Sequence, residues 1–264
     1  MKIAIIGAGN LGLAIAKGII NNKSAQALYI TKRNINTLKE LEGAKDVFLT
    51  SDNKEAIKNS DSIIFAVQPR HLEEVLNQCK EVITEGHTLI STVTGFSTGK
   101  IEKIVGEDRS IIRAMPNTAI SINQSMTCIC ANQKGKERIN LAFDIFNQLG
   151  HSIEIPEEQM QAATVICASG IAFWMRLIRA TTQGAIELGF ESKEALEMSV
   201  HTCLGAARLL ISSHSHPEQE IDKVTTPGGC TIAGLNEMEH QGLSSSIIKG
   251  LITSYNKISQ IAKN

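Results

Sequence analysis

The stretch "KIAIIGAGNLGLAIAKGIINN", residues 2–22, decides the fold. Its first residues, "KIAII", form a short apolar run that stops at Gly7, as a strand buried in a parallel sheet does. Beyond the glycines, Leu11, Ala14, Ile15, Gly18 and Ile19 recur at helical spacing and mark one apolar face. Between strand and helix lies Gly7-Ala8-Gly9-Asn10-Leu11-Gly12, a G-x-G-x-x-G turn. Alone that pattern is weak, because glycine serves turns of every kind. In this context it has a mechanism. The first glycine makes the tight turn, the second lets backbone approach a pyrophosphate, and the third allows helix and strand to pack. Free N–H groups and the helix dipole at that end favour the phosphates. The segment therefore predicts the opening βαβ unit of a dinucleotide-binding domain.

Working outward, the alternation continues. Strands are expected at 27–31, 62–67, 87–92 and 110–115, with helices at 34–43, 69–83 and 97–106 between them. Pro69 opens one of these helices, where its missing N–H costs nothing. Strands alternating with crossover helices predict a parallel sheet. Two further strands are expected at 125–131 and 151–155, around a helix at 135–150. After Pro156 the pattern becomes helical only: one helix of about thirty residues from Glu157, one at 192–213, and two more ending at Lys263. The fold class is α/β, a Rossmann-type N-terminal domain with a parallel sheet followed by an all-α C-terminal domain. The boundary is expected at Ile155/Pro156, giving domains 1–155 and 156–264.

The 264 residues suit two domains of ordinary size. A formal charge of −1 offers no basic field for nucleic acid, and one Trp with two Tyr makes no platform for stacked bases. The six cysteines are scattered apart from Cys128 and Cys130, which share one face of a strand, so no metal site is expected. The sequence shows neither a secretory-type leader nor a continuous apolar run of the ~20 residues that cross a bilayer. The reading is a cytoplasmic enzyme with reduced thiols.

The end of the second strand bears on the cofactor. Dinucleotide sites that take NAD usually place an acid there to hold the ribose 2′-hydroxyl. This chain has Thr31-Lys32-Arg33-Asn34, with a hydroxyl and two cations suited to a 2′-phosphate. NADPH is expected, with NADH less favoured.

At the level of longer motifs the chain resembles the Δ1-pyrroline-5-carboxylate reductases, the last enzymes of proline biosynthesis. The resemblance runs through "IGAGNLG", "DNKEAIKNSDSIIFAVQP", "RAMPNTA" and "ASGIAF", and is most specific in "VTTPGGCTIAGLNEMEHQG". It implies that Gly7, Ala8, Gly9, Asn10, Leu11 and Gly12 bind the pyrophosphate, and that Thr31, Lys32 and Arg33 face the adenosine ribose and its phosphate. Asn53 would lie near the adenine-side ribose, with Ala66, Val67, Gln68 and Pro69 lining the nucleotide. Thr92 and Thr94 would approach the nicotinamide half, and Met115 and Asn117 would shape that end. Gly228, Gly229, Cys230 and Thr231 would cradle the substrate carboxylate with backbone N–H groups, the Thr231 hydroxyl holding the ring nitrogen. The family's dimers, with interlocked helical domains, imply a homodimer or a higher assembly of dimers here. This sequence departs from the family pattern at Gln68, Ile171, Phe173 and Cys230.

Reducing a cyclic imine needs a hydride donor, a proton for nitrogen and a carboxylate anchor. A loop without His or Lys can supply the last and orient the second, so Thr231 is the catalytic candidate. His214 and His216 have no evident third ligand and read as a polar connection. Glu157 and Glu158 read as acids favouring a helix start, although the resemblance places the substrate site near enough to keep one as a weaker catalytic candidate. Two alternatives remain: another NADP-dependent imine or β-hydroxyacid reductase of the same plan, and a non-catalytic NADP-binding regulator. The first alternative is weakened because the long helix from Glu157 contains no lysine, where β-hydroxyacid dehydrogenases normally carry a catalytic one.

Overall fold

The computed structural model describes residues 1–263. It opens with β1 (Lys2–Ile6), α1 (Asn10–Asn22) and β2 (Ala27–Thr31), as the first stretch of sequence predicts. Then follow β3 (Val47–Thr50), α2 (Asn53–Lys58), β4 (Ser62–Phe65), α3 (Pro69–Cys79), β5 (Thr88–Ser91), α4 (Thr98–Val105) and β6 (Ser110–Met115). After β6 come β7 (Ser125–Ala131), α5 (Gln133–Lys136), α6 (Ile139–Phe146) and β8 (Gly150–Glu154). The eight strands form one sheet in the order β3-β2-β1-β4-β5-β6-β7-β8. Strand order reverses between β1 and β4, both of which feed their C-terminal ends toward the glycine turn. Ligands collect at that switch point in doubly wound sheets.

Strands β1 to β6 pair in parallel, whereas β7 runs antiparallel to β6, with Cys130 opposite Arg113. The expected parallel sheet thus holds from β1 to β6, and β7 with β8 runs the other way. The connection from Met115 to Ser125 holds only a 3₁₀ turn and cannot make the crossover a parallel strand needs. Two apolar layers cover the sheet. One centres on Ile3, Ile5, Ile15 and Phe146, the other on Ile6, Phe65, Leu72 and Leu76.

Three expected helices are modified. Residues 34–43 make a 3₁₀ helix at Ile35–Leu41, whose buried Leu38 and Leu41 sit three apart, the 3₁₀ repeat. The helix at 135–150 breaks at Arg138, whose guanidinium donates to the Gly86 carbonyl at 2.7 Å, leaving α5 and α6. The long helix beginning at Glu157 is interrupted. A 3₁₀ turn leads into α7 (Met160–Ala163), then a π-helical turn at Thr164–Ser169, then α8 (Gly170–Glu187). The Thr164 hydroxyl donates to the Met160 carbonyl at 2.8 Å, which competes with the regular ladder at that point. The run from Glu157 to Glu187 holds an 18-residue window long and apolar enough, by length and composition alone, to cross a membrane. This corrects the expectation of no such segment. Polar residues such as Ser169 and Arg176 interrupt the apolar run but not its average.

The rest is helical: α9 (Ser192–Ser213), α10 (Pro217–Val224), α11 (Cys230–His240) and α12 (Leu243–Lys263). Helix α9 has the expected bounds. The polar connection read around His214 and His216 turns out to hold the start of helix α10. The His216 ring accepts the Glu218 N–H and the Gln219 side chain accepts the His216 N–H, a capping box with Pro217 at the first position.

By compactness the chain divides into residues 1–169 with the end of α12, and Gly170–Ser254. In the first unit, Gln161 anchors α12 by donating to the Tyr255 carbonyl at 2.9 Å and to the Ser259 hydroxyl. In the second, α8 and α9 pack together, and few side chains are buried: Thr182, Ala195 and Ser199 among them.

Candidate active site

The glycine turn is built around Thr31 at the end of β2. Its buried hydroxyl accepts the Gly7 N–H at 3.2 Å, and its carbonyl accepts the Ala8 N–H at 2.9 Å. Gly7 has φ +99°, a conformation L side chains rarely adopt, and a Cβ there would lie 2.6 Å from Val67 Cγ1. A Cβ on Gly12 would run into the Gly7 carbonyl oxygen, so the third glycine lets α1 pass beneath the turn. A Cβ on Gly9 would meet nothing within 4 Å. Gly9 therefore borders open space, and a ligand can approach its backbone.

That space is a cavity of about 580 Å³ at the switch point. Gly7, Ala8, Gly9, Thr31, Lys32, Arg33, Asn53, Ala66, Val67 and Gln68 line it, so most of the residues expected to hold the nucleotide converge. Its size fits the adenosine half of a dinucleotide. Lys32 is half-buried and Arg33 exposed, and among the described residues neither has an ion-pair partner. Asn53 is held by α2, which Asp52 caps by accepting the Lys54 and Glu55 N–H groups at 2.8 and 3.2 Å.

Asn10, Leu11, Gly12, Pro69, Thr92, Thr94 and Asn117 do not line this cavity. Leu11 packs on the apolar core, and Pro69 begins α3. The Thr92 hydroxyl donates to the Phe65 carbonyl at 3.0 Å. Asn117 follows β6, its Nδ2 donating to the Cys167 carbonyl at 3.1 Å and its Oδ1 accepting the Ala119 N–H at 3.0 Å. Both ends of that side chain are spent on holding the π-helical turn and the 3₁₀ turn after β6.

The cavity also has walls the sequence reading missed. Asn34 and Ser51 flank the cations, and α3 contributes His71, Glu74, Val75 and Gln78. Those four sit at i, i+3, i+4 and i+7, one helix face, while Leu72, Leu76 and Cys79 bury the adjoining face. The signal was thus present as a second stripe on α3. It faces the nucleotide edge only because of the crossover from β4.

A third element is an ion pair at the start of the long helical run. Arg113, nearly buried on β6, donates to Glu157 at 3.0 Å, and the Thr98 N–H donates to the same carboxylate at 2.8 Å. Burial pushes the Glu157 carboxyl up, but the Thr98 hydroxyl and N–H and the Arg113 guanidinium outweigh it and hold the group below its ordinary value of 4.5. The pair joins β6, α4 and the helical run, so Glu157 does more than favour a helix start. A carboxylate with a depressed value stabilises the fold above its unfolded value, and that contribution disappears as pH falls through the folded one. Glu157→Gln is expected to lower unfolding free energy at pH 7 by on the order of 2 kcal/mol, as loss of hydrogen bonds to a charged group does. Denaturant titrations should show the gap to the parent closing below pH 4.5. A gap unchanged with pH would refute the assignment.

In the helical unit, Thr226-Pro227-Gly228-Gly229 is a type II turn. The Gly229 N–H donates to the Thr226 carbonyl at 2.9 Å, Pro227 sits second, and Gly228 in third place has φ +72°. Gly229 caps α11 without a side-chain bond. The first helical N–H with an internal acceptor is that of Ala233, on the Gly229 carbonyl at 3.4 Å. The N–H groups of residues 230–232 therefore point out of the helix end, an anion-binding arrangement, with the exposed Thr231 hydroxyl beside them.

A doubly wound sheet with a dinucleotide cavity at its switch point, followed by an all-helical segment, defines an NAD(P)-dependent oxidoreductase. Residues 157–261 match the family model "Pyrroline-5-carboxylate reductase dimerisation", and residues 2–95 match "NADP oxidoreductase coenzyme F420-dependent". Pyrroline-5-carboxylate reductase 2 of Dictyostelium discoideum is 39% identical over 98% of this chain and 92% of its own length. Pyrroline-5-carboxylate reductase 1 of the same organism is 43% identical over 98% of this chain, which spans only 49% of that relative. The Plasmodium falciparum pyrroline carboxylate reductase, solved with NADP bound, superposes with a TM-score of 0.88 at 26% identity, covering 99% of this chain and 98% of that one. The chain belongs to the pyrroline-5-carboxylate reductase family.

Proposed function

We infer that the protein reduces 1-pyrroline-5-carboxylate to L-proline at the expense of NADPH. Family membership along the whole chain, together with a glycine-turn cavity bearing two unpaired cations, carries this reading. No observation favours a β-hydroxyacid reductase or a non-catalytic regulator. The test is NADPH oxidation by the purified protein with 1-pyrroline-5-carboxylate. Turnover only with a 3-hydroxyacid, or no turnover at all, would overturn it.

Bound NADPH supplies the hydride. The chain's work is orientation and electrostatics. Gly7 to Gly12 hold the pyrophosphate, Asn53 and Ala66 to Pro69 the adenosine half, and Lys32 and Arg33 the 2′-phosphate. Thr31 acts through the turn, since its hydroxyl already accepts the Gly7 N–H. Thr92, Thr94 and Asn117 order the backbone near the nicotinamide end. Gly228, Gly229, Cys230 and Thr231 bind the substrate carboxylate through N–H groups, and the Thr231 hydroxyl holds the ring nitrogen. A hydroxyl of such high pKa orients a proton that solvent, or an already protonated imine, supplies.

Arg33→Ala is expected to weaken NADPH binding about 10-fold, the loss of one charge-assisted contact, while leaving NADH binding unchanged. Fluorescence titration with both cofactors checks it, and an unaltered NADPH-to-NADH ratio would remove Arg33 from the site.

We propose in addition that the assembly is a homodimer, or a higher assembly of dimers, built through the helical segment. Trp174, Met175, Leu188, Leu209, Ile211 and Ile248 are all exposed there, more apolar surface than a lone subunit leaves to water. Sedimentation as a monomer at micromolar concentration would refute this. The functional division follows Ile155/Pro156, where strands give way to helices, and the enzyme works in the cytoplasm, as its six free thiols favour.

A further inference from the structure

Strand β7 and the π-helical turn, 39 residues apart in sequence, bring Cys128 Sγ and Cys167 Sγ within 3.7 Å. They lie in a small sulfur-rich cluster with Met115, Cys130 and Met160. Cys128 is 2% exposed, whereas Cys167 is half-buried at the margin of the cluster. We propose that Cys128 and Cys167 form an oxidisable dithiol, which a peroxide closes into a disulfide tying the π-helical turn to the sheet.

Three features of the pair favour closure. The sulfurs, 3.7 Å apart, need to approach by only about 1.6 Å to reach bonding distance. The roles divide by environment. The hydrogen bond from the Cys128 sulfhydryl holds the Cys167 thiol down, and the same contact together with burial pushes Cys128 up. The accessible sulfur is therefore the one with thiolate character. Cys130, on the same strand face, does not compete for the peroxide, because it is buried and burial pushes its thiol up to about 12.

The chemistry balances with hydrogen peroxide as oxidant. The Cys167 thiolate attacks one peroxide oxygen, the O–O bond breaks, and a proton taken up by the departing hydroxide makes the first water. The Cys128 sulfur then attacks the sulfenic sulfur of Cys167, loses its proton, and displaces the second water. Two thiols and one peroxide give one disulfide and two waters. The new bond spans the element that Asn117 holds through the Cys167 carbonyl. It therefore removes freedom from the segment just before Gly170, where the second compact unit begins. Nothing in this depends on which imine the enzyme reduces.

The test uses the full-length reduced protein, treated with a slight excess of hydrogen peroxide, alkylated and digested. Mass spectrometry should find one intramolecular cross-link, between the Cys128 and Cys167 peptides, which dithiothreitol removes. Oxidation should also raise Tm, since the bond constrains the unfolded chain. Cys167→Ala should keep the parent's NADPH oxidation and give neither the cross-link nor the Tm rise. Cys128→Ala should leave Cys167 to progress to sulfinic acid. If peroxide leaves Cys128 alkylatable while Cys203 and Cys230 oxidise, or if Cys167 goes to sulfinic acid in the parent, the dithiol is refuted.

Discussion

Thr231→Ala is expected to lower kcat/KM for 1-pyrroline-5-carboxylate by about 10²-fold, the usual cost of removing one donor aimed at the reacting group. NADPH affinity should change little, because every residue lining the cofactor cavity falls between Ile6 and Gln78, far from Thr231 in sequence. Two features of the loop make the hydroxyl separable from the backbone around it. The type II turn is closed by the Gly229 N–H and the Thr226 carbonyl, which the substitution leaves intact. Residue 231 is exposed in the first turn of α11, where alanine is the best helix former. Loss of activity would therefore report the lost hydroxyl and not a collapsed loop. Thr231→Ser should restore most of the rate. Wild-type kcat/KM in the alanine variant would remove Thr231 from the chemistry and leave the loop as a carboxylate cradle only.

The second large effect separates two glycines of the same motif. Gly9→Ala should fold normally, with unchanged Tm, because its methyl meets nothing within 4 Å. It should nevertheless weaken NADPH binding by about 100-fold, since the methyl occupies the approach a pyrophosphate needs. Gly12→Ala should lose both properties. Its Cβ runs into the Gly7 carbonyl oxygen, a backbone atom that can yield only if the turn moves. Overpacking of that kind costs on the order of 1–3 kcal/mol, visible as a lower Tm. Calorimetry and cofactor titration on both variants give the comparison. Equal loss of stability in the two would mean that the open space beside Gly9 is not a ligand path.

Much of the first unit was legible because short-range patterns encode it. An apolar run ending on glycine followed by helical spacing locates β1 and α1. The same reasoning finds β4, β5 and β6, each buried on both faces, and β2, whose Leu28 and Ile30 bury one face fully. Strand β3 escaped because it is a half-buried edge strand of four residues, with Phe48 exposed and stacked on Tyr29 at 4.8 Å. Short edges carry little apolar signal. Helix α10 escaped because its start is written in a capping box built on a histidine, an unusual cap. The π-helical turn has no periodicity of its own, and it exists where the Thr164 hydroxyl and the Asn117 amide compete for carbonyls.

The sequence by itself determined the alternation of strands and helices, the glycine turn, the missing acid after β2 and the glycine pair ahead of α11. All of these depend on residues a few positions apart, whose backbone preferences and burial patterns are local. Only the tertiary structure decided the antiparallel β7, the α3 face lining the cavity, the Arg113–Glu157 ion pair and the Cys128–Cys167 contact. The last two join residues 44 and 39 positions apart. Their proximity is set by which strand lies beside which, and that order is an outcome of packing the whole sheet.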